Sequence, residues 1–310
     1  MKEYINYYYN LDIENIEDNN NYYSFFYMGT SYYLVFYNRT EEELKDIIDV
    51  SRELKLKGIP VHDIIFNKFM SPISKIGDFN YILFKINGNK DETYDIIDIN
   101  NLNNKLTLTN ASSKLYRNNW GELWSKKIDY FEIQLSELGK EKKVILNSFS
   151  YYIGLAENAI SYINRANELY KNDLYKVTLS HRRIFYPNTK LNYFNPISFI
   201  FDLDVRDVAE YIKVMFFKNE DALLELITYL KITKLSNYSY HMLYARLLYP
   251  SYYFDVYEKI MNEEEDEDVL IPIIDKAQEY EIFLKDAYAE ISKYILIDRV
   301  EWILKDKKEL

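Results

Sequence analysis

The sequence has no cysteine in its 310 residues, which excludes disulfides, thiolate metal sites and a cysteine nucleophile while leaving the redox compartment open. Glycine and proline are scarce, at 7 and 6. Loops that bring backbone against a phosphate by doing without a Cβ are therefore few. No apolar run approaches the roughly 20 residues of a spanning helix. The opening Met1-Lys2-Glu3-Tyr4 has neither the apolar core nor the small-residue cleavage site of a signal peptide. These absences predict an intracellular, cytoplasmic protein with no membrane insertion. Positive charge is also in deficit, with 38 Lys and Arg against 49 Asp and Glu and a net charge of -11, which argues against a general nucleic-acid binder and leaves a local basic patch as the alternative. No zinc spacing, serine-nucleophile elbow or dinucleotide fingerprint occurs.

What is present is a large apolar and aromatic content: 48% hydrophobic residues, with 33 Tyr, 17 Phe and 3 Trp. That is ample for a core in a chain of this length. The tyrosines read most simply as the product of AT-rich codons, with interface or cross-linking material as the alternative. The first hundred residues read as strands around one helix. Aromatic runs at residues 4–9, 22–27 and 32–37 suggest strands, the last two joined as a hairpin through Met28-Gly29-Thr30-Ser31. Thr40 followed by Glu43 is a capping box for a helix carrying Leu44, Ile47, Ile48, Ser51 and Leu54, stopped at Gly58-Ile59-Pro60. Strands follow at residues 63–68 and 81–86, and Asn87-Gly88-Asn89 breaks the chain.

Beyond the break the pattern turns helical. Trp120, Trp124, Ile128, Phe131 and Leu135 recur at helical spacing, as do Tyr152, Leu155, Ala159, Tyr162 and Ile163, with a loop at residues 139–143 between them. An irregular stretch at 173–204 precedes helices expected at 205–217, 220–231, 238–248, 251–261 and 273–304. The acidic run 262–268 reads as a solvated loop, with a docking site for a basic partner as the lesser alternative. The expected class is α+β and bilobal: a β-rich lobe over 1–90 with a small antiparallel sheet and one helix, a linker over 91–104, and a mainly helical lobe over 105–310. This is the layout of a protein kinase or an aminoglycoside phosphotransferase.

Motifs of that fold fall in order. His181-Arg182-Arg183-Ile184-Phe185-Tyr186-Pro187-Asn188 has the His and Asn of the kinase catalytic loop H-R-D-L-x-x-x-N at the right separation, but Arg183 stands where the proton-accepting Asp belongs. The apolar run 197–201 delivers Asp202-Leu203-Asp204, at the place of the magnesium-binding Asp, and Asp207 matches the Asp that steadies the catalytic loop in these phosphotransferases. Asn188 and Asp202 are the metal-ligand candidates, with bonding to local backbone as an equal alternative. Arg182 and Arg183 are anion clamps or partners of Asp202, Asp204 and Asp207. His181 is expected to be structural. His62 and His241 are isolated, and Trp120 and Trp124 read as core anchors.

The β-rich lobe keeps less of the chemistry. Residues 10–21, between the first two expected strands, contain no glycine. The run 32–37 has no Lys for the phosphates, with Phe36 or Tyr37 in its place, so Glu43, Asp49 and Glu53 are left without that partner, and Lys85 comes late in the lobe.

The chain resembles the spore-coat kinase-like proteins of the CotS and YutH type, a branch of the aminoglycoside-phosphotransferase family. The resemblance is carried by Tyr32-Tyr33-Leu34-Val35, Gly58-Ile59-Pro60-Val61-His62, WSKKIDYFEIQ from Trp124, YYIGLAENAI from Tyr151, His181-Arg182-Arg183 and DVRDVAEYIK from Asp204. It implies a bilobal kinase fold, a bacterial sporulation context, and synthesis in the mother cell with deposition in the coat. With no catalytic set intact, the function expected is a pseudokinase-like binding or structural role with coat proteins as partners. The alternatives are an atypical phosphotransferase using ATP and magnesium, with Asp204 as base, and a small-ligand sensor.

Overall fold

The computed structural model describes residues 1–19, 22–89, 91–108, 112–117, 119–138 and 141–304. Residues 20–21 of the glycine-free stretch and 139–140 of the expected inter-helix loop lie outside them. The chain divides into two compact units. The first comprises Met1–Asp95, Leu108–Tyr116 and His181–Ile200, the second Ile96–Thr107, Arg117–Ser180 and Phe201–Leu310.

The first unit is built on an antiparallel sheet, starting with the expected hairpin. Met28 (φ 47°) and Gly29 (φ 77°) both take positive φ, which matches the twist of a two-residue turn to that of the strands. They join β2 (Tyr22–Tyr27) to β3 (Thr30–Phe36). With β1 (Glu17–Asp18), β4 (Asp63–Ile65), β5 (Ser74–Ile76) and β6 (Phe79–Lys85), the order is β1-β2-β3-β6-β4, and β5 also pairs with β6. On one part of the sheet, Ile82 and Phe84 of β6 pack with Tyr37 and with Leu44 of α2 (Glu41–Leu56). The capping box of α2 forms as the sequence predicts: Thr40 accepts from the Glu43 amide, and Glu43 accepts from the Thr40 amide, each at 3.1 Å.

The strand expected at residues 4–9 is instead a helix, α1 (Lys2–Tyr9). Tyrosine favours strands, but Ile5 is fully buried and Met1, Tyr8 and Tyr9 pack beside it on the same cluster. Positions 1, 5, 8 and 9 share one face only at helical spacing, so tertiary burial overrides propensity.

The second unit is helical: α3 (Ile96–Lys105), α4 (Trp120–Leu138), α5 (Lys143–Leu169), α7 (Arg206–Phe217), α8 (Ala222–Ile232), α9 (Asn237–Leu248), α10 (Ser251–Met261), α11 (Ile271–Asp275), α12 (Ala277–Ile291) and α13 (Glu301–Leu304). A short α6 (Lys190–Tyr193) belongs to the first unit. Strands β7 (Val177–His181) and β8 (Phe199–Leu203) pair with each other. The single helix expected over 273–304 is broken twice. Within its second break the Ile297 and Asp298 carbonyls accept from the hydroxyls of Tyr288 and Tyr162, so these backbone acceptors are satisfied without a helical ladder.

Such tyrosine ties recur across the second unit. Tyr280 on α12 donates to the Leu247 carbonyl of α9 (2.8 Å), Tyr244 on α9 returns a bond to Leu284 of α12 (3.2 Å), and Tyr257 on α10 reaches Phe131 of α4 (3.2 Å). All three side chains are buried. Each fills apolar volume and also satisfies a backbone acceptor on another helix, which phenylalanine would leave unpaired. Tyr280→Phe is therefore expected to cost about 1–3 kcal/mol in urea denaturation, whereas Tyr4→Phe, at a position 48% exposed, leaves the midpoint unchanged.

Candidate functional site

In the first unit, the segment resembling a catalytic loop is held by aromatic stacking and backbone bonds. His181, at the end of β7, is 1% exposed and its Nε2 lies 2.8 Å from the Tyr193 carbonyl. Its ring stacks on Tyr193 (4.6 Å between centroids) and meets Phe199 edge-on, and Tyr193 stacks on Tyr94 (4.3 Å). Asn188 is bonded to Tyr94 twice: its side-chain amide donates to the Tyr94 carbonyl, and its own carbonyl accepts from the Tyr94 amide at 2.9 Å. Arg182 donates its backbone amide to Ser198 at 2.7 Å, and both Arg182 and Arg183 have exposed side chains. His62 braces the same region. The Asn87 amide donates to its Nδ1 (3.3 Å), so the proton sits on Nε2, which donates to the Leu191 carbonyl at 2.9 Å. Burial pushes this imidazole down to about 4, so it is neutral at pH 7.

Sequence reasoning missed Arg39, which follows β3. Its Nη1 donates to the Ile197 and Phe199 carbonyls, each at 2.8 Å, and Nη2 pairs with Glu43 at 3.1 Å. Glu43 thus has a cationic partner from beside β3, although the strand itself has no Lys. That guanidinium is turned onto main chain, and its side chain is 3% exposed. The only signal in the sequence is the four-residue spacing to Glu43. Lys85 lies on β6 opposite Tyr32 of β3 and Asp63 of β4.

The second unit gathers the acidic candidates. Asp202, on β8, is 2% exposed. Its Oδ1 accepts from Trp120 Nε1 (2.9 Å) and from the Leu203 amide (2.8 Å), while Oδ2 accepts from Trp120 Nε1 (3.1 Å) and Arg206 Nε (3.0 Å). Arg206 Nη1 also reaches Asp207 Oδ1 at 3.2 Å. One α-helical turn further along α7, Glu210 bonds Arg246 Nε (2.6 Å) and Lys213 Nζ (2.8 Å). Burial raises the Glu210 carboxyl, but Lys213 and Arg246 outweigh it and hold the group well below the usual carboxylate range. Burial lowers Lys213 to about 8, while its ammonium also donates to the Arg246 and Tyr249 carbonyls and to Ser251. The guanidinium of Arg246 lies 4.6 Å above the Trp120 ring, and Trp124 stacks on Tyr249 at 3.9 Å. The two tryptophans expected as core anchors are buried, and Trp120 is in addition a donor to Asp202.

Asp204 is separate from this network. Its main chain pairs with Lys176 and accepts from the Asn103 side chain at 2.8 Å, but its Oδ1 and the Asn103 Oδ1 are buried without a hydrogen-bond partner. Burial pushes its carboxyl up to about 6, against the lowering effect of Ser239 and Lys176.

A magnesium ion requires oxygen ligands at about 2.0–2.1 Å in near-octahedral array. Asp202, as placed, does not fit that role, because all of its donors are supplied by the chain. The Asn188 amide nitrogen donates to the Tyr94 carbonyl, which orients that side chain by backbone.

Three comparisons bear on this arrangement. The profile of the family described as "Spore coat putative kinase YutH" matches residues 2–287. The endospore coat-associated protein YutH of Bacillus subtilis (strain 168) is 30% identical over 208 residues, which is 59% of this chain and 61% of that protein, so the match spans less than two thirds of the relative. Among solved structures, an aminoglycoside phosphotransferase from Alicyclobacillus acidocaldarius superposes with a TM-score of 0.69 at 11% identity, covering 92% of this chain and 94% of that one. An AMP-bound spectinomycin phosphotransferase gives 0.61 at 13% identity, covering 93% and 97%. At these identities the likeness shows the fold alone: a kinase-like fold of the aminoglycoside-phosphotransferase type.

Asp204 sets a pH dependence whose sign is fixed by its raised value. An unfolded Asp titrates near 3.9 and the folded one near 6, so the native state holds the extra proton between them and stability falls as pH rises through 6. Asp204→Asn removes this contribution. Relative to the wild type, the variant should gain on the order of 1–3 kcal/mol in urea denaturation between pH 4 and pH 8; a difference that is flat in pH would show that Asp204 is not a buried acid.

Proposed function

The chain belongs to the YutH spore-coat family, and on that premise we propose that it acts as a binding or structural component of spore coat assembly, using a kinase fold without phosphoryl transfer. The observation that carries the reading is the state of Asp202, whose two oxygens are engaged by three donors in four contacts, the Trp120 Nε1–H being shared between them, with the Leu203 amide and Arg206 Nε supplying the others. Catalysis by this fold is mostly positioning and charge neutralisation, so a carboxylate committed to its own chain contributes neither. Arg183 at the position of the proton acceptor adds the loss of a general base, typically worth about 10²- to 10⁴-fold. It also puts a cation where the family's chemistry places an anion.

The same reading accounts for Asn188 and Arg39. The Asn188 side chain is anchored through its Nδ2 to the Tyr94 carbonyl, and the guanidinium beside Glu43 is spent on the Ile197 and Phe199 carbonyls. Each is a local, buried or half-buried contact that holds backbone in place, as a scaffold requires. Among the described residues no helix is long and apolar enough to cross a membrane. The partners proposed are other coat proteins, met in the mother-cell cytoplasm and then in the coat.

Thermal denaturation with ATP, in the presence and absence of magnesium, tests the reading. A ligand at 100 times its Kd adds about 2.7 kcal/mol, so binding would be plain in the melting temperature. The expected result is no shift with either. A magnesium-dependent shift that disappears in Asp202→Asn would overturn the proposal in favour of an atypical phosphotransferase.

A further inference from the structure

The acidic cluster of the second unit has an unusual internal balance. Asp202, Asp207 and Glu210 are paired with Arg206, Arg246 and Lys213, so three carboxylates meet three cations. Four of the six lie on α7 at positions 206, 207, 210 and 213, along one buried face of the helix. Arg206 is central. Its guanidinium bridges Asp202 and Asp207, whose side chains are 3% and 1% exposed, and is itself 10% exposed. Trp120 supplies the neutral donor that completes Asp202. Two carboxylates converging on one cation are the protein's usual share of a site for an oxygen-ligated divalent ion, water or phosphate oxygens completing the shell. Here the charge at their meeting point is a side chain four residues along from Asp202.

We propose that Arg206 is a tethered cation that occupies, on the chain itself, the place of a divalent ion between Asp202 and Asp207. The inference rests on the proposed loss of phosphotransfer and gives it a cause within the chain. An ion entering this site would have to displace Arg206 and leave a guanidinium buried without partners, which costs more than the ion's own pairing returns. Arg246, whose charge also acts on Asp202, makes a second positive charge there still less favourable.

The experiment uses the full chain, freed of metal by chelation and without nucleotide, and follows thermal unfolding against MnCl₂ and MgCl₂. The wild type should show no saturable shift. Arg206→Met, which keeps an unbranched apolar stem and removes the guanidinium, should melt lower and recover saturably with manganese, by roughly 2–4 °C. Arg206→Lys keeps the charge and should not respond. If Arg206→Met folds only when manganese is present, that supports the proposal equally. A saturable shift in the wild type, or an Arg206→Met protein that is folded by circular dichroism yet flat across the titration, would overturn it. So would an Arg206→Met protein that stays unfolded with manganese while Arg206→Lys folds. These outcomes are independent of nucleotide, so the tethered cation can fail while the coat-binding role stands, and a response to ATP can sink that role whatever the metals do.

Discussion

The second unit turns on one buried ion pair, Asp202 with Arg206. It fixes three things at once: the end of β8, the first turn of α7, and, through the indole of Trp120, the start of α4. A charged pair removed from water is rarely a net source of stability, because desolvation offsets the attraction, but breaking one member costs about 3–5 kcal/mol. Such a pair makes alternatives expensive. Once Asp202 is committed to Arg206, Asp207 is drawn to the same guanidinium, and the neighbouring Glu210 must find its own partners in Arg246 and Lys213.

The first unit achieves a similar rigidity chiefly by neutral means. The stack Tyr94–Tyr193–His181 and the bonds of Asn188 and His62 to main chain hold residues 181–194 mainly through neutral groups. Charged contacts add to them, Lys190 with Glu92 and Arg39 as a cation donating to two carbonyls and one carboxylate. Two residues that the catalytic-loop pattern singles out take part in the chain's own hydrogen bonding, His181 with the Tyr193 carbonyl and Asn188 with the Tyr94 carbonyl.

Much of this was visible in the sequence, for identifiable reasons. The hairpin, the capped α2, and the long helices α4 and α5 rest on local signals, a Met-Gly turn, a Thr-x-x-Glu box and apolar periodicity, which operate without tertiary help. Helix α1 was misread because Tyr is a strand former and only the burial of Ile5 decides the period. The break after Ile291 carries no glycine or proline to mark it, and Tyr162 and Tyr288, which satisfy carbonyls within it, reach them from other parts of the chain. In the site, Asp202, Asp207, His181 and Asn188 were picked out by spacing, but their partners were not. Trp120 is 82 residues away from Asp202 in the chain and Arg39 is 158 from Ile197. Pairings at such separations leave no periodic trace. Arg206, although only four residues from Asp202, looks like any helical arginine until its burial is known.

The tyrosine ties between helices carry a consequence at the alkaline end of the pH scale. Burial drives the phenols of Tyr244, Tyr257 and Tyr280 well above their ordinary value. In the unfolded chain these groups ionise near 10, so their contribution to stability is complete below that value and drains away as the solution becomes more basic. Base therefore acts on several helix contacts together, and the phenolate absorbance of these buried tyrosines would rise in one cooperative step, with the loss of the helical unit itself.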